Sequence, residues 1–238
     1  MKNILALAVF LLLSLNAIAA DEEVRYYDVE LILFENLEMS SRQSELWPTS
    51  VERTEPEPET VVEINRPYPG QIPKEYDPAM TFKSLPKDKY RLAEAIKKLE
   101  DSPSRRVLLH TAWRQPGMDW DNALNVHLKK SIPAVSADAA GSETPAVPQA
   151  SRPGQAGELE GYIKVILSRY LHVDTDIIFQ TRPKTDRFDF YIDEGEEPTV
   201  YRLNQLRRRI RSTELHYLDH PVVGMLIAMY PVETDKVQ

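Results

Sequence analysis

The stretch "LEGYIKVILSRYLHVDTDIIFQ" (159–180) restricts the fold more than any other part of the chain. Apolar residues recur at every second position, with Gly161, Ile163, Val165, Leu167, Leu171 and Val173 on one side. A period of two places alternate side chains on opposite faces of a pleated strand, so this segment predicts a long β-strand buried on one face. The same pattern appears in "VRYYDVELILFEN" (24–36) and in "RRVLLHTAWRQP" (105–116), where Val107, Leu109, Thr111 and Trp113 fall on one side. "ALNVHLKKSI" (123–132), "RFDFYID" (187–193) and "VVGMLIAMY" (222–230) add shorter strands, with turn residues in "GMDWD" (117–121) between two of them.

One segment predicts helix. In "PKDKYRLAEAIKKLEDSP" (86–103), Tyr90, Leu92, Ala93, Ile96 and Leu99 share a face, and prolines stand near both ends. The segment 199–211 fits a helix through Leu203, Leu206 and Ile210, or a strand with Arg207, Arg209 and Arg211 outward; the turn-like "RSTE" (211–214) that follows favours the strand. Many strands joined by short connections predict an α+β fold: a mainly antiparallel sheet with at least one helix covering one face.

Two stretches depart from this pattern. Eight prolines fall between Trp47 and Pro86, around an acidic "EPEPE" (55–59), which predicts an extended, Pro-rich arm over 47–86. In 131–158, eighteen of 28 residues are Ala, Pro, Ser or Gly, a low-complexity composition that predicts a disordered insertion between two strands.

The first twenty residues predict an address. Lys2, the apolar run "ILALAVFLLLSL" (4–15) and small residues at "AIA" (17–19) have the layout of a cleaved secretory signal. Cutting after Ala19 or Ala20 leaves 21–238 as a single periplasmic domain. No later apolar stretch approaches the length needed to cross a bilayer, the longest being the nine residues 222–230, so no integral membrane segment is expected after cleavage. The chain has no cysteine, which excludes a disulfide framework and thiol catalysis. With 37 acidic and 29 basic residues its formal charge is −8, and acidity of this degree argues against a nucleic-acid partner.

Three groups of residues have chemistry to offer. His216, Asp219 and His220 are metal ligands or proton carriers by type. On a helix the two histidines would share a face, as in metalloproteases. Tyr217 stands where the protease motif has its glutamate, and Pro221 disfavours helix at His220. On a strand, residues four apart lie about 13 Å from each other, too far to share one ion. No metal or other cofactor is therefore expected. Serine catalysis lacks both the G-x-S-x-G elbow and S-x-x-K. No enzymatic activity is expected.

The arginines are the second group. "RLNQLRRRIRS" (202–212) holds five of them in an acidic protein. On a strand Arg207, Arg209 and Arg211 would project on one face about 7 Å apart, suited to a polymer carrying carboxylates or phosphates. A cross-strand ladder with Asp174, Asp176 or Glu214 would occupy the same arginines, and the sequence leaves both open. The third group is aromatic: Trp113, Tyr170 beside Arg169 and His172, and Tyr217 beside His216 could stack on sugar rings.

Four segments in order, "YYDVELILFE", "LLHTAWRQP" (108–116), "LEGYIKVILSRYLHVDTDI" (159–177) and "RRRIRSTELHYLDHPVVGMLI" (207–227), resemble the CsiV family of small periplasmic proteins. "SRYLH" and "ELHYLDHP" carry the resemblance most specifically. It implies binding to cell-wall peptidoglycan and a link to cell shape. It also implies cooperation with an LpoA-type lipoprotein in activating a class A penicillin-binding protein. It brings no catalytic residues. Where the family has a small turn residue after "RS", this chain has Thr213. Other readings stay open beside this one: an envelope adaptor that contacts proteins through the Pro-rich arm and a sheet edge, a lipopolysaccharide-handling adaptor, or a metal-dependent wall hydrolase.

Overall fold

The computed structural model describes residues 24–66, 81–134, 154–182 and 198–232. The Pro-rich residues 67–80, most of the low-complexity insertion, the expected strand 187–193 and the apolar leader lie outside them.

Among the described residues ten strands form two five-stranded sheets. The first contains β1 (Tyr26–Asn36), β3 (Lys83–Ser84), β4 (Arg105–Pro116), β9 (His216–Leu218) and β10 (Val223–Pro231), in the order β3-β4-β1-β10-β9. The second contains β2 (Val61–Glu63), β5 (Asn125–Ile132), β6 (Gly157–Leu167), β7 (Leu171–Thr181) and β8 (Val200–Ile210), in the order β2-β5-β6-β7-β8. All pairings are antiparallel except β2 against β5.

A single covered sheet was the expectation; the molecule is mainly β, with the two sheets burying their apolar faces against each other. Val29, Leu31 and Leu33 of β1 share one core with Ile163 and Val165 of β6, Ile177 and Phe179 of β7, and Met225 and Ile227 of β10. Helix is scarce: α1 (Met39–Arg42) and α2 (Ala93–Glu100). Twelve residues of α-helix among the described residues cannot cover ten strands, so sheet must cover sheet. The helix α2 does cover part of the outer face of the first sheet, where Leu92, Ala95, Ile96 and Leu99 meet Ile32, Leu226 and Ala228.

The helix is shorter than the apolar pattern over 86–103 predicts, and the cause is tertiary. Leu92 sits at its N-cap and has no side chain able to cap. Glu30, buried on β1, supplies the acceptors instead: its carboxylate takes the N–H of Arg91 at 2.7 Å and of Leu92 at 3.2 Å, and also contacts His110 Nε2 at 2.8 Å. Tyr90 is extended, drawn out of helical geometry to stack edge-on against His110.

The long alternating segment 159–180 is two strands. It folds at Ser168–Tyr170 into the β6–β7 hairpin, with Leu167 opposite Leu171. Those partners are four residues apart, an even number, so alternation runs through the turn unbroken. In β4 a bulge at Leu108 reverses the phase: Leu109 pairs with Leu33 but Val107 pairs with Phe34. Val107 therefore packs under α2, not on the side of Leu109 and Trp113 as its spacing predicts.

Part of the Pro-rich arm is an ordered strap across the second sheet. Val200 N–H donates to the carbonyl of Pro48 at 2.9 Å, and Arg202 reaches the carbonyl of Glu52 at 3.3 Å. Glu55 accepts the Tyr162 hydroxyl at 2.7 Å while Arg53 lies over the Tyr162 ring. Burial and this acceptor push the Tyr162 phenol up to about 12. The strap ends by adding β2 alongside β5. It crosses β8, β7 and β6 and leaves the far end of their outer face open.

Candidate functional site

At that open end, three pieces of chain bring together an aromatic and cationic platform. The β6–β7 turn contributes Arg169 and Tyr170, β7 contributes His172, β8 contributes Arg207 and Arg209, and the β4–β5 connection contributes Trp120. His172 pairs with Arg209 across the ladder. Its ring packs against Trp120 with centroids 5.2 Å apart, and Nδ1 has no hydrogen-bond partner among the described residues. The Arg207 guanidinium lies 5.4 Å from the Trp120 ring centre. On Tyr170, Arg209 sits at 3.4 Å and Arg169 at 5.6 Å. Trp120 and Tyr170 remain 36% and 40% exposed, uncommon for large aromatics with this many neighbours.

The arginine run does not form the regular row that alternation predicts. Register between β7 and β8 slips from Val173–Arg208 to Thr175–Gln205, placing an extra residue in β8. Arg207 takes that bulge with a left-handed φ of 55°, and its backbone N–H donates to Asp174 Oδ1 at 2.6 Å. Asp174 is thereby occupied in holding the bulge. Arg211 falls beyond the strand and meets Glu214 at 3.5 Å. Arg202 takes both oxygens of Asp176, at 2.7 and 2.8 Å.

The ion-pair ladder takes some of these arginines and leaves others outside it. Arg202 and Arg211 are paired with acids. Among the described residues, Arg169, Arg207, Arg208 and Arg209 have no carboxylate within ion-pair distance, and neither do Arg25 and Arg91 elsewhere, whereas Arg42, Arg53, Arg66, Arg105, Arg106, Arg114 and Arg182 each have one. Three guanidiniums at the platform, of Arg169, Arg207 and Arg209, without a carboxylate partner among the described residues, form a local positive field that the overall charge conceals. The nearby acids Asp119 and Asp121 flank Trp120 in sequence, and Asp119 accepts the N–H of Asn122 at 3.0 Å.

The remaining predicted site residues lie elsewhere. Trp113 is wholly buried, and its indole N–H donates to Gln115 Oε1 at 2.8 Å; it belongs to the core and does not stack on a ligand. His216, Tyr217, Asp219 and His220 occupy the β9 edge of the first sheet, each with its own partner. His216 Nε2 accepts the N–H of Arg211 at 3.0 Å. The Tyr217 hydroxyl donates to Asp219 at 2.6 Å, and burial together with that bond raises the phenol to about 12. His220 Nδ1 accepts the N–H groups of Val222 and Val223, both at 3.1 Å, and its ring rests against Trp47. Burial holds the His220 imidazole below its usual pKa. Among the described residues no group of three His, Asp or Glu side chains is placed to hold a metal ion.

Trp120 is the platform residue that the sequence pattern did not expose. It lies in "GMDWD", legible as a turn; a tryptophan between two aspartates in a turn has no core to enter, and that was the available signal. No helix among the described residues is long and apolar enough to cross a membrane.

No curated protein and no solved structure matches the chain. A family model, described as peptidoglycan-binding protein CsiV, matches residues 4–232. With nearly its whole length matched, the chain belongs to the CsiV family of peptidoglycan-binding proteins.

Proposed function

We propose that this is a non-catalytic periplasmic protein that binds peptidoglycan through the Trp120–Tyr170–Arg207–Arg209 platform and assists wall synthesis. The observation that carries the reading is the set of guanidiniums, without carboxylate partners among the described residues, beside two open aromatic rings. Aromatic faces take the apolar faces of sugar rings, and free guanidiniums take the carboxylates of the wall. In this reading residues 1–20 are a signal that is cleaved on export. The partners are an LpoA-type lipoprotein activator and a class A penicillin-binding protein, as the family resemblance implies.

Purified sacculi test it. Wild-type protein should sediment with them, and an Arg207→Gln, Arg209→Gln variant should remain in the supernatant. Release of soluble muropeptides by the wild type, lost on replacing His216 and His220 by alanine, would instead make the chain a hydrolase. Protein released by osmotic shock should begin at Ala20 or Asp21.

A further inference from the structure

The platform has two chemically distinct parts. Trp120 and Tyr170 offer ring faces at the turns, while Arg207 and Arg209 project from β8 with their charges unneutralised among the described residues. The fold supplies acids on the same sheet face and directs them elsewhere: Asp176 to Arg202, Asp174 to the Arg207 backbone, and Glu158 to Arg182. Leaving two adjacent arginines unpaired has an electrostatic cost that an anionic ligand would remove. The left-handed Arg207 adds a backbone cost, since non-glycine residues seldom adopt positive φ. Without the bulge Arg207 would alternate in phase with Arg209 along a regular row; with it, the guanidinium is placed over Trp120.

We infer that Arg207 and Arg209 form a carboxylate subsite, so that the platform selects wall fragments bearing free carboxylates over neutral saccharide. This rests on the peptidoglycan-binding reading above. Two parts of the wall provide such a group next to a sugar: the stem peptide, and the lactyl group of glycan from which the peptide has been removed. Guanidinium recognises both in the same bidentate manner. A neutral N-acetylglucosamine oligomer offers ring faces alone.

The test compares untreated sacculi with sacculi whose carboxylates have been converted to amides by carbodiimide and ammonia. Amidation should lower wild-type retention about tenfold, as expected for loss of partly exposed charge-assisted pairs. The Arg207→Gln, Arg209→Gln variant, folded by circular dichroism, should bind both preparations at the same low level. Trp120→Ala should bind more weakly than wild type yet keep its sensitivity to amidation, because it retains both charges. Competition by soluble stem peptide would assign the charge to the peptide; retention on peptide-free glycan would assign it to the lactyl group. A neutral oligomer competing as well as either would overturn the inference. Wild-type retention unchanged by amidation would overturn it too and leave wall binding standing, whereas no retention on untreated sacculi would overturn both.

Discussion

Replacing Gly161 by alanine should damage the fold more than its single added methyl group implies. Gly161 lies on the inner face of β6, opposite Ile177 of β7. A Cβ built there would stand 2.1 Å from the Asp176 carbonyl oxygen, 2.6 Å from the Ile177 Cα and 3.0 Å from the Asp176 carbonyl carbon. All three are backbone atoms of the paired strand, so no side-chain rotation relieves the clash. Among the described glycines none has positive φ, so close approach and not backbone freedom is what requires glycine here. Overpacking costs about 1–3 kcal/mol, and each ladder hydrogen bond lost as β6 and β7 part costs about 1 more. Alanine's lower conformational entropy returns about 0.5–1 kcal/mol. The balance is a loss of about 2–3 kcal/mol, or about 5–10 °C in Tm for a domain of this size. Gly117→Ala is the comparison: there the nearest atom, at 2.4 Å, is the tip of the Leu167 side chain, which can move. Thermal unfolding followed by circular dichroism should rank Gly161→Ala well below Gly117→Ala. Equal melting temperatures, or the reverse order, would refute the argument that backbone contact decides the cost.

Thr213 has a φ of 67°, a left-handed conformation disfavoured for a β-branched residue, at the turn anchored by its N–H to the Met229 carbonyl at 2.7 Å. Thr213→Gly should raise stability by about 1 kcal/mol in urea unfolding, the strain released exceeding the added chain entropy; a fall would show that the threonine side chain stabilises the turn. His220 is held neutral, with Nδ1 accepting two backbone N–H groups, and burial lowers its folded pKa below 6.5. Its contribution is fully present above that value and is lost as pH falls through 6.5 toward the lowered folded pKa, where the unfolded chain binds the proton first. Stability measured from pH 7.5 to 5.5 should decline on this account, and the decline should shrink in His220→Asn; identical profiles would exclude His220 as the source. Residues 135–153 are flanked by Pro133 and Gln155, whose carbonyls both accept from Arg106, and Ile132 pairs with Gly157. Exchanging 135–153 for a short Gly-Ser linker should therefore keep cooperative unfolding, since loop closure changes slowly with length.

Period-two alternation located seven of the ten strands among the described residues because it reflects one-sided burial, which every long strand here experiences. It could not count strands, since the 167–171 turn preserves parity, and it could not see the bulges at Leu108 and Arg207, which change the facing of every residue beyond them. Alternation identifies the buried face without identifying what covers it, so sheet against sheet and sheet against helix read alike. The helix end was set by Glu30, more than sixty residues away in sequence, and no local pattern carries that. The site was legible in part. "SRYLH" and the arginine run supplied Arg169, Tyr170, His172, Arg207 and Arg209, which the hairpin and ladder bring together. Trp113 misled by standing beside polar residues, though Gln115 two positions on shares its face and accepts its indole N–H.

The platform's position follows from how the second sheet manages its edges. The edge at β2 is three residues long, while β8 offers eleven residues, most of them exposed through its second half. A long open edge invites pairing with other chains, and charge together with a bulge is the usual protection. The segment Arg207–Arg209 provides both, which alone would account for arginines there. Protection does not account for their neighbours. An edge guarded by charge needs no tryptophan from a separate connection beneath one guanidinium, nor a tyrosine from the adjacent turn beneath another. Nor does it need Asp174 spent on fixing the bulge when pairing an arginine would serve as well. The strap crosses the same face at Arg202 of β8 and Tyr162 of β6, short of this corner. An edge device accounts for the charges, and a ligand surface accounts for the charges, the aromatic supports and the gap in the strap together.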